Sequence, residues 1–254
     1  MQYKYVTEQQ DYSDYSSGRV FYSLPGHPAF PVRLASEIFQ RCLAHREKQY
    51  GMTAPCTLYD PCCGAAYHLS VLGYLHGEHI QKIIVSDIDE KAVELARRNL
   101  GLLSIEGLHG RIRELSDLSE RYRKESHQEA LESAAVLQKR LSALTEKQPL
   151  ETMVFQASAS DGKSILHNVQ PGSVDIVFTD VPYGRHSRWS ITELARSSDP
   201  LTLMLETLLP VLSSTSIVAI SSDKGQKPAH ERYQRLEHFQ VGKRRVVILR
   251  PILN

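Results

Sequence analysis

The sequence predicts an α/β fold: a mostly parallel sheet with a C-terminal antiparallel hairpin and a helical insert. Three observations predict it. First, 57-TLYD-60, a helical run ending at His76, 82-KIIVSD-87 and "IDEKAVELARRNLGLL" follow one another in order. That is β-α-β-α in about 45 residues, the rhythm of parallel strands joined by right-handed crossovers. Second, β-prone runs return at 152–157, 174–180 and 216–221, with a leucine-rich helical stretch at 199–212. Third, 234–253 holds two β-like runs around "VGKRR", a hairpin signal.

The remaining elements follow from periodicity. Residues 1–23 carry Tyr3, Tyr5, Tyr12, Tyr15 and Tyr22 with few aliphatic anchors, an arm that is either docked or frayed. "SLPGHPAFPVRL" reads as a proline-rich turn into a helix over 34–44. Asp89 is placed as an N-cap, ahead of an apolar stripe of Ala92, Val93, Leu95, Ala96 and Leu100. Between 104 and 150 the chain is strongly charged, and Leu131, Ala134, Leu137, Leu141 and Leu144 mark a helix over 129–144. A solvated helical pair covering the sheet edge is expected there. The alternative is a substrate-gripping lid built on Arg111, Arg113, Arg121, Arg123 and Lys124.

Composition narrows the classes. The 254 residues suit one large domain with embellishments or two small ones, and 41% hydrophobic residues suffice for a sizeable core. A net charge of +1 leaves nucleic-acid contact to local patches. The N-terminus lacks the apolar run of a signal peptide, and 201–220 carries Glu206, Pro210 and hydroxyls, so no membrane association is expected. Cys42, Cys56, Cys62 and Cys63 have neither CxxC nor zinc spacing, and "HGEH" at 76–79 lacks a third ligand and reads as surface histidines. A reduced, cytoplasmic, metal-free monomer is expected.

Two loops at strand ends carry the chemistry. In open α/β sheets ligands bind outside the carboxyl ends of the strands. The first strand ends in Asp60, Pro61, Cys62, Cys63, Gly64, Ala65 and Ala66, where a glycine lets backbone approach a ligand ahead of a helix N-terminus. Asp87, 23 residues after Gly64, stands where such folds place an acid on ribose hydroxyls. No GxGxxG is present, which argues against NAD; a nucleoside-containing cofactor fits better. After the strand at 174–178 comes "TDVPYG", placing a carboxylate, a rigid carbonyl and a ring side by side.

This arrangement resembles the class I S-adenosylmethionine-dependent methyltransferases, with their Rossmann-like sheet. The resemblance implies S-adenosylmethionine as donor. Asp60, Pro61, Cys62, Cys63, Gly64 and Ala65 would hold its methionine part, Asp87 and Ile88 its ribose, and Ala157, Ser158 and Asp161 would meet adenine. Two departures stand out: Gly64-Ala65-Ala66 lacks the last glycine of the family loop, and Ser158 replaces a common Asp. Asp180, Val181, Pro182 and Tyr183 match the (Asp/Asn)-Pro-Pro-(Tyr/Phe) loop of amino-methylating members, with Val181 in place of the first proline. The chemistry explains the residue types: Asp180 and the Val181 carbonyl each accept an N–H of a base amine, Pro182 restricts the backbone, and Tyr183 offers a stacking face.

The likeness narrows further. "DPCCGAAYHLSVLGYLH", "SDIDEKAVELARRNL", "TDVPYG" and "PAFPVRLASEIFQR" resemble the avilamycin-resistance type of 23S rRNA guanine methyltransferase, from about residue 20 to 250. The resemblance implies one methyltransferase domain over 1–254, with an N-terminal arm and helix over 1–50 and the helical insert over 104–150. It also implies a guanine in 23S rRNA, free or in the large-subunit particle, as target. The acceptor loop points to the exocyclic N2 amine. RNA contact is expected from Arg185, Arg188 and Trp189 beside that loop and from Lys243, Arg244 and Arg245, within a stretch (224–250) of net charge +6. Two other readings use the same residues: a DNA amino-methyltransferase, or an RNA-binding or ribosome-assembly protein on a catalytically degenerate methyltransferase fold.

Overall fold

The computed structural model describes residues 3–23, 29–145, 150–181 and 199–252. Seven strands form one sheet: β1 (Cys56–Asp60), β2 (Ile80–Asp87), β3 (Glu151–Gln156), β4 (Val174–Asp180), β5 (Leu212–Asp223), β6 (Tyr233–Val241) and β7 (Arg244–Pro251). Their spatial order is β3-β2-β1-β4-β5-β7-β6. β1 to β5 pair in parallel, and β7 runs antiparallel to both β5 and β6. β1 is buried along its whole length, which is why it reads as an unbroken β-prone run rather than an alternating one.

Helices cover both faces. On one lie α1 (Val32–Tyr50), α2 (Tyr67–His76) and α3 (Glu90–Gly101), with Leu34, Ile38, Leu69, Leu72 and Leu100 packed on Leu58, Ile83 and Phe178. On the other lie α6 (Gly162–Asn168) and α7 (Pro200–Leu208), whose Ile165, Met204 and Leu205 pack on Tyr59, Val177 and Val218. Asp89 caps α3, its side chain accepting from Lys91 N as expected. The 199–212 stretch divides: α7 ends at Leu208, and β5 already begins at Leu212.

The helical pair does not cover the sheet edge. α4 (Ile105–Tyr122) and α5 (Glu125–Thr145) form a second layer outside α2, in the same cluster as the N-terminal arm. Leu108, Leu115, Ala134, Leu137 and Leu141 bury there with Tyr15, Val20 and Phe21. The arm is therefore docked, and its rings supply the apolar partner that the leucine stripe of α5 requires. Arg111 anchors it by donating to the carbonyls of Val20 (2.9 Å) and Arg19 (3.0 Å), whereas Arg113, Arg121, Arg123 and Lys124 are exposed.

A buried carboxylate ties the start of the arm to α1. Glu37 is fully buried and accepts from the backbone N–H of Lys4 (2.7 Å), Tyr5 (2.9 Å) and Val6 (3.0 Å) and from Arg41 Nε (2.7 Å). Arg41 also pairs with Glu237 of β6. Burial pushes the Glu37 carboxyl up, but these donors outweigh it and hold it below the usual carboxylate range. Glu37→Ala is expected to lower stability by about 3 kcal/mol, because three N–H groups and part of a buried guanidinium lose their acceptor. Thermal unfolding measures this. Limited trypsin digestion should then cut at Lys4 in the variant, and an arm as protected as in the parent would contradict the assignment.

Candidate active site

β1 and β4 are neighbours, with Leu58 opposite Ile176 and Tyr59 opposite Val177. The chain leaves β1 toward α2 on one face, while α6 and α7, flanking β4 in sequence, lie on the other. A crevice therefore opens at the carboxyl ends of these two strands. Asp60 ends β1 and Asp180 ends β4, so the two acids expected in separate loops flank one crevice.

The first loop is a tight turn. Asp60 Oδ1 accepts from Cys62 N (3.0 Å), Cys63 N donates to the Ser86 carbonyl (3.0 Å), and Ala66 N donates to the Cys63 carbonyl (2.8 Å). Gly64 has φ +52°, and a Cβ there would meet no atom within 4 Å, so the space beside it is open. Ala66 has φ 52° with its methyl buried. The lost glycine is thus replaced by an alanine in the left-handed region, at about 1 kcal/mol of backbone strain.

Asp87 joins the first two loops. Its Oδ2 accepts from Gly64 N (2.8 Å) and its Oδ1 from Asp89 N (3.0 Å). Burial pushes its carboxyl up against these two donors. Ile88 is exposed at the tip, its carbonyl held by Gln156 Nε2 (2.9 Å). Asn99 of α3 bonds both the arm and the first loop, donating to the carbonyls of Tyr22 (2.9 Å) and Ala65 (2.8 Å). Beyond β3, the Ser158 hydroxyl bonds Ser160 Oγ (2.9 Å). The Asp161 carboxylate caps α6, accepting from Lys163 N, Ser164 N and Ser164 Oγ.

Beneath the first loop lies a pair that the sequence did not mark. Asp60 is fully buried, and its Oδ2 stands 3.4 Å from Nε2 of buried His68. Burial pushes Asp60 up to about 8, against the Thr179 hydroxyl and the Cys62 N–H and with the help of Asp87 and Asp180. Burial also pushes His68 down to about 4, against its bond to the Phe178 carbonyl. At neutral pH the proton therefore sits on Asp60 and the ring is neutral. His68 is the second residue of α2, just after the glycine loop, where nothing in its neighbours signals the contact.

On the acceptor side, Asp180 is partly exposed and Val181 fully buried. Val181 N donates to the Ser221 carbonyl (3.0 Å), a bond that a proline at this position would forfeit. Pro182, Tyr183, Arg185, Arg188 and Trp189 lie outside the described residues. The basic trio at the hairpin divides. Lys243 is exposed, and Arg245 Nη1 donates to the Gln226 carbonyl (3.2 Å). Arg244 turns inward, with Nη2 3.6 Å from Asp180 Oδ2 and its guanidinium 4.9 Å from the centre of the Phe30 ring. Phe30 also packs on His68 and Phe178, so the N-terminal segment walls this crevice. His76 is not a surface histidine: it is partly buried and bonded to Ser36 Oγ (2.8 Å). No group of three or more metal-ligating side chains occurs among the described residues. Nor is any helix among them long and apolar enough to cross a membrane.

The family model described as rRNA methyltransferase AviRa matches residues 1–244. The chain belongs to the AviRa family of rRNA methyltransferases. It is 38% identical over 248 residues to the 23S rRNA (guanine(2535)-N(1))-methyltransferase of Streptomyces viridochromogenes, covering 98% of this chain and 95% of that protein. Two solved structures of the Streptomyces viridochromogenes rRNA methyltransferase AviRa, both 36% identical, superimpose with TM-scores of 0.85 and 0.82. The first covers 99% of this chain and 97% of the other, the second 98% and 96%. AviRa membership selects an rRNA methyltransferase over the DNA-directed and non-enzymatic alternatives.

The Asp60 geometry predicts an unusual pH dependence in this AviRa relative. A carboxyl raised from 3.8 to about 8 in the folded state contributes stability that is present below its unfolded value and declines as pH rises toward 8. Asp60→Asn keeps the oxygen for Cys62 N and cannot ionise. It should match the parent near pH 4 and exceed it in melting temperature by a margin that grows up to about pH 8. Melting curves across that range check this; a variant less stable throughout would contradict it.

Proposed function

We propose that the protein transfers a methyl group from S-adenosylmethionine to N1 of a guanine in 23S rRNA, as free RNA or within the large-subunit particle. The near full-length identity to a guanine N1 enzyme carries this reading, and the placement of Asp180 at the crevice makes chemical sense of it. Guanine N1 bears a proton, and its lone pair is delocalised into the ring. A carboxylate that accepts this proton frees the electron pair for attack.

The residues present fit the donor. The open space beside Gly64 admits a ligand against the backbone, and Asp60 Oδ2, which makes no hydrogen bond, lies beneath that loop. Bound there, S-adenosylmethionine supplies an electrophilic methyl carbon. In this assignment Pro61, Cys62, Cys63 and Ala65 shape the loop about the methionine part. Asp87 keeps lone pairs for ribose hydroxyls beyond those given to Gly64 and Asp89. Ile88 offers an apolar platform and Ser158 a hydroxyl for adenine, with Asp161 holding that loop by capping α6. Asp180 and the Val181 carbonyl take the Watson–Crick edge, Pro182 stiffens the turn, and Tyr183 stacks on the base. Arg185, Arg188, Trp189, Lys243 and Arg245 serve the surrounding RNA. The guanine must be splayed out of its stack to reach Asp180.

A second reading, methylation at N2, is favoured by the Asp-Val-Pro-Tyr run itself, which matches loops that grip exocyclic amines. N1 and N2 share one edge of the base, so a single carboxylate can serve either.

Labelled methyl donor, incubated with unmodified 23S rRNA and with large subunits, tests the proposal directly. Nucleoside digestion and mass spectrometry should reveal N1-methylguanosine. Label in N2-methylguanosine would establish the second reading, and no label on either substrate would overturn both. Asp180→Ala is expected to lower turnover at least about a hundredfold while leaving the dissociation constant for the donor unchanged, as for loss of a group acting only in the reaction. An unchanged rate would remove Asp180 from the mechanism.

A further inference from the structure

We propose that Arg244 is a catalytic residue, one that binds the guanine O6 and stabilises the negative charge that gathers there as N1 loses its proton. The inference rests on the N1 reading above. Removing a proton from guanine N1 does not leave the charge on nitrogen alone, because conjugation with the adjacent carbonyl moves it to O6. A cation at O6 therefore makes N1 more acidic and stabilises the transition state more than the ground state.

Arg244 is the residue placed to do this. It opens β7, paired with Asp223 of β5, while Asp180 pairs with Ser221 of the same strand. The side chain thus reaches back over the end of β5 toward β4, bringing Nη2 to 3.6 Å from Asp180 Oδ2. That contact is electrostatic: at 3.6 Å it exceeds hydrogen-bond length. The Arg244 side chain is 19% exposed, and its guanidinium lies over the Phe30 ring, which limits its orientation. A planar, permanently charged fork held beside the base-gripping carboxylate can serve both partners. Before reaction it stands within ion-pair distance of Asp180. As the proton passes from N1 to Asp180 and neutralises it, the cation is released toward the oxygen on which charge appears.

The step balances without another reactant. The N1–H bond breaks, with its proton moving to Asp180. The N1 electron pair forms the bond to the methyl carbon, while the carbon–sulfur bond of the donor breaks and its electron pair stays on sulfur. Arg244 remains protonated throughout.

Single-turnover rates of the parent, Arg244→Gln and Arg244→Lys proteins test this, measured at saturating 23S rRNA and methyl donor from neutral to mildly alkaline pH. The methylated nucleoside is identified in each case. Arg244→Gln should be slower by about a hundredfold near neutrality, with the deficit shrinking as pH rises and the base loses its proton unaided. Arg244→Lys, which keeps charge without the fork, should fall between. Unchanged melting temperature and donor affinity exclude a folding defect, and if the glutamine variant does not fold the lysine variant carries the test. N1-methylguanosine from the parent with a deficit constant across pH, or a deficit confined to RNA affinity, would overturn the role of Arg244 alone. N2-methylguanosine from the parent would remove the N1 reading, and this inference with it.

Discussion

The site depends on a constraint of connectivity. A parallel sheet in which β1 lies between β2 and β4 sends the connections on its two sides to opposite faces. The connections therefore part at the strand ends between them, and no helix among the described residues covers that gap. Asp60 and Asp180, 120 residues apart in the chain, end adjacent strands at that gap. Everything else in the crevice is arranged around this opening: the first loop closes it from one side, and the hairpin strand β7 and the N-terminal Phe30 close it from the other.

Burial sets the electrostatics. Three acids converge here, and the protein gives each a different environment. Asp60 is enclosed and protonated against a neutral His68, Asp87 is partly buried and fastened by two backbone N–H groups, and Asp180 lies beside a guanidinium. Desolvation disfavours the charged form of a carboxyl, and a neighbouring cation favours it. The crevice thus sets an enclosed acid at the end of β1 and an acid paired with a cation at the end of β4.

Most of the fold was legible because its signals are local. Strand–helix alternation, the Asp89 cap and the hairpin were all written in runs of adjacent residues, and each formed with boundaries shifted by a few positions. The leucine stripe of α5 was legible as a helix face but not as to its partner. That partner is the arm, whose Tyr15, Val20 and Phe21 lie more than a hundred residues away in the chain. A stripe announces that it must be buried without saying against what. Arg111, named with four other cations for the alternative of a substrate lid, instead binds two backbone carbonyls of that arm.

By itself the sequence determined the α/β class, the two loops that end β1 and β4, and the family, since a glycine after a strand, an acid at the next strand end and an Asp-Val-Pro-Tyr run are short-range patterns. Only the tertiary structure decided which charges work together. It placed His68 against Asp60 and turned Arg244 from the basic hairpin onto Asp180, while Lys243 stayed in solvent. In sequence Lys243 and Arg244 are equivalent neighbours. Lys243 lies in the turn between β6 and β7, whereas Arg244 is the first residue of β7, and the register of β7 on β5 carries it to the crevice.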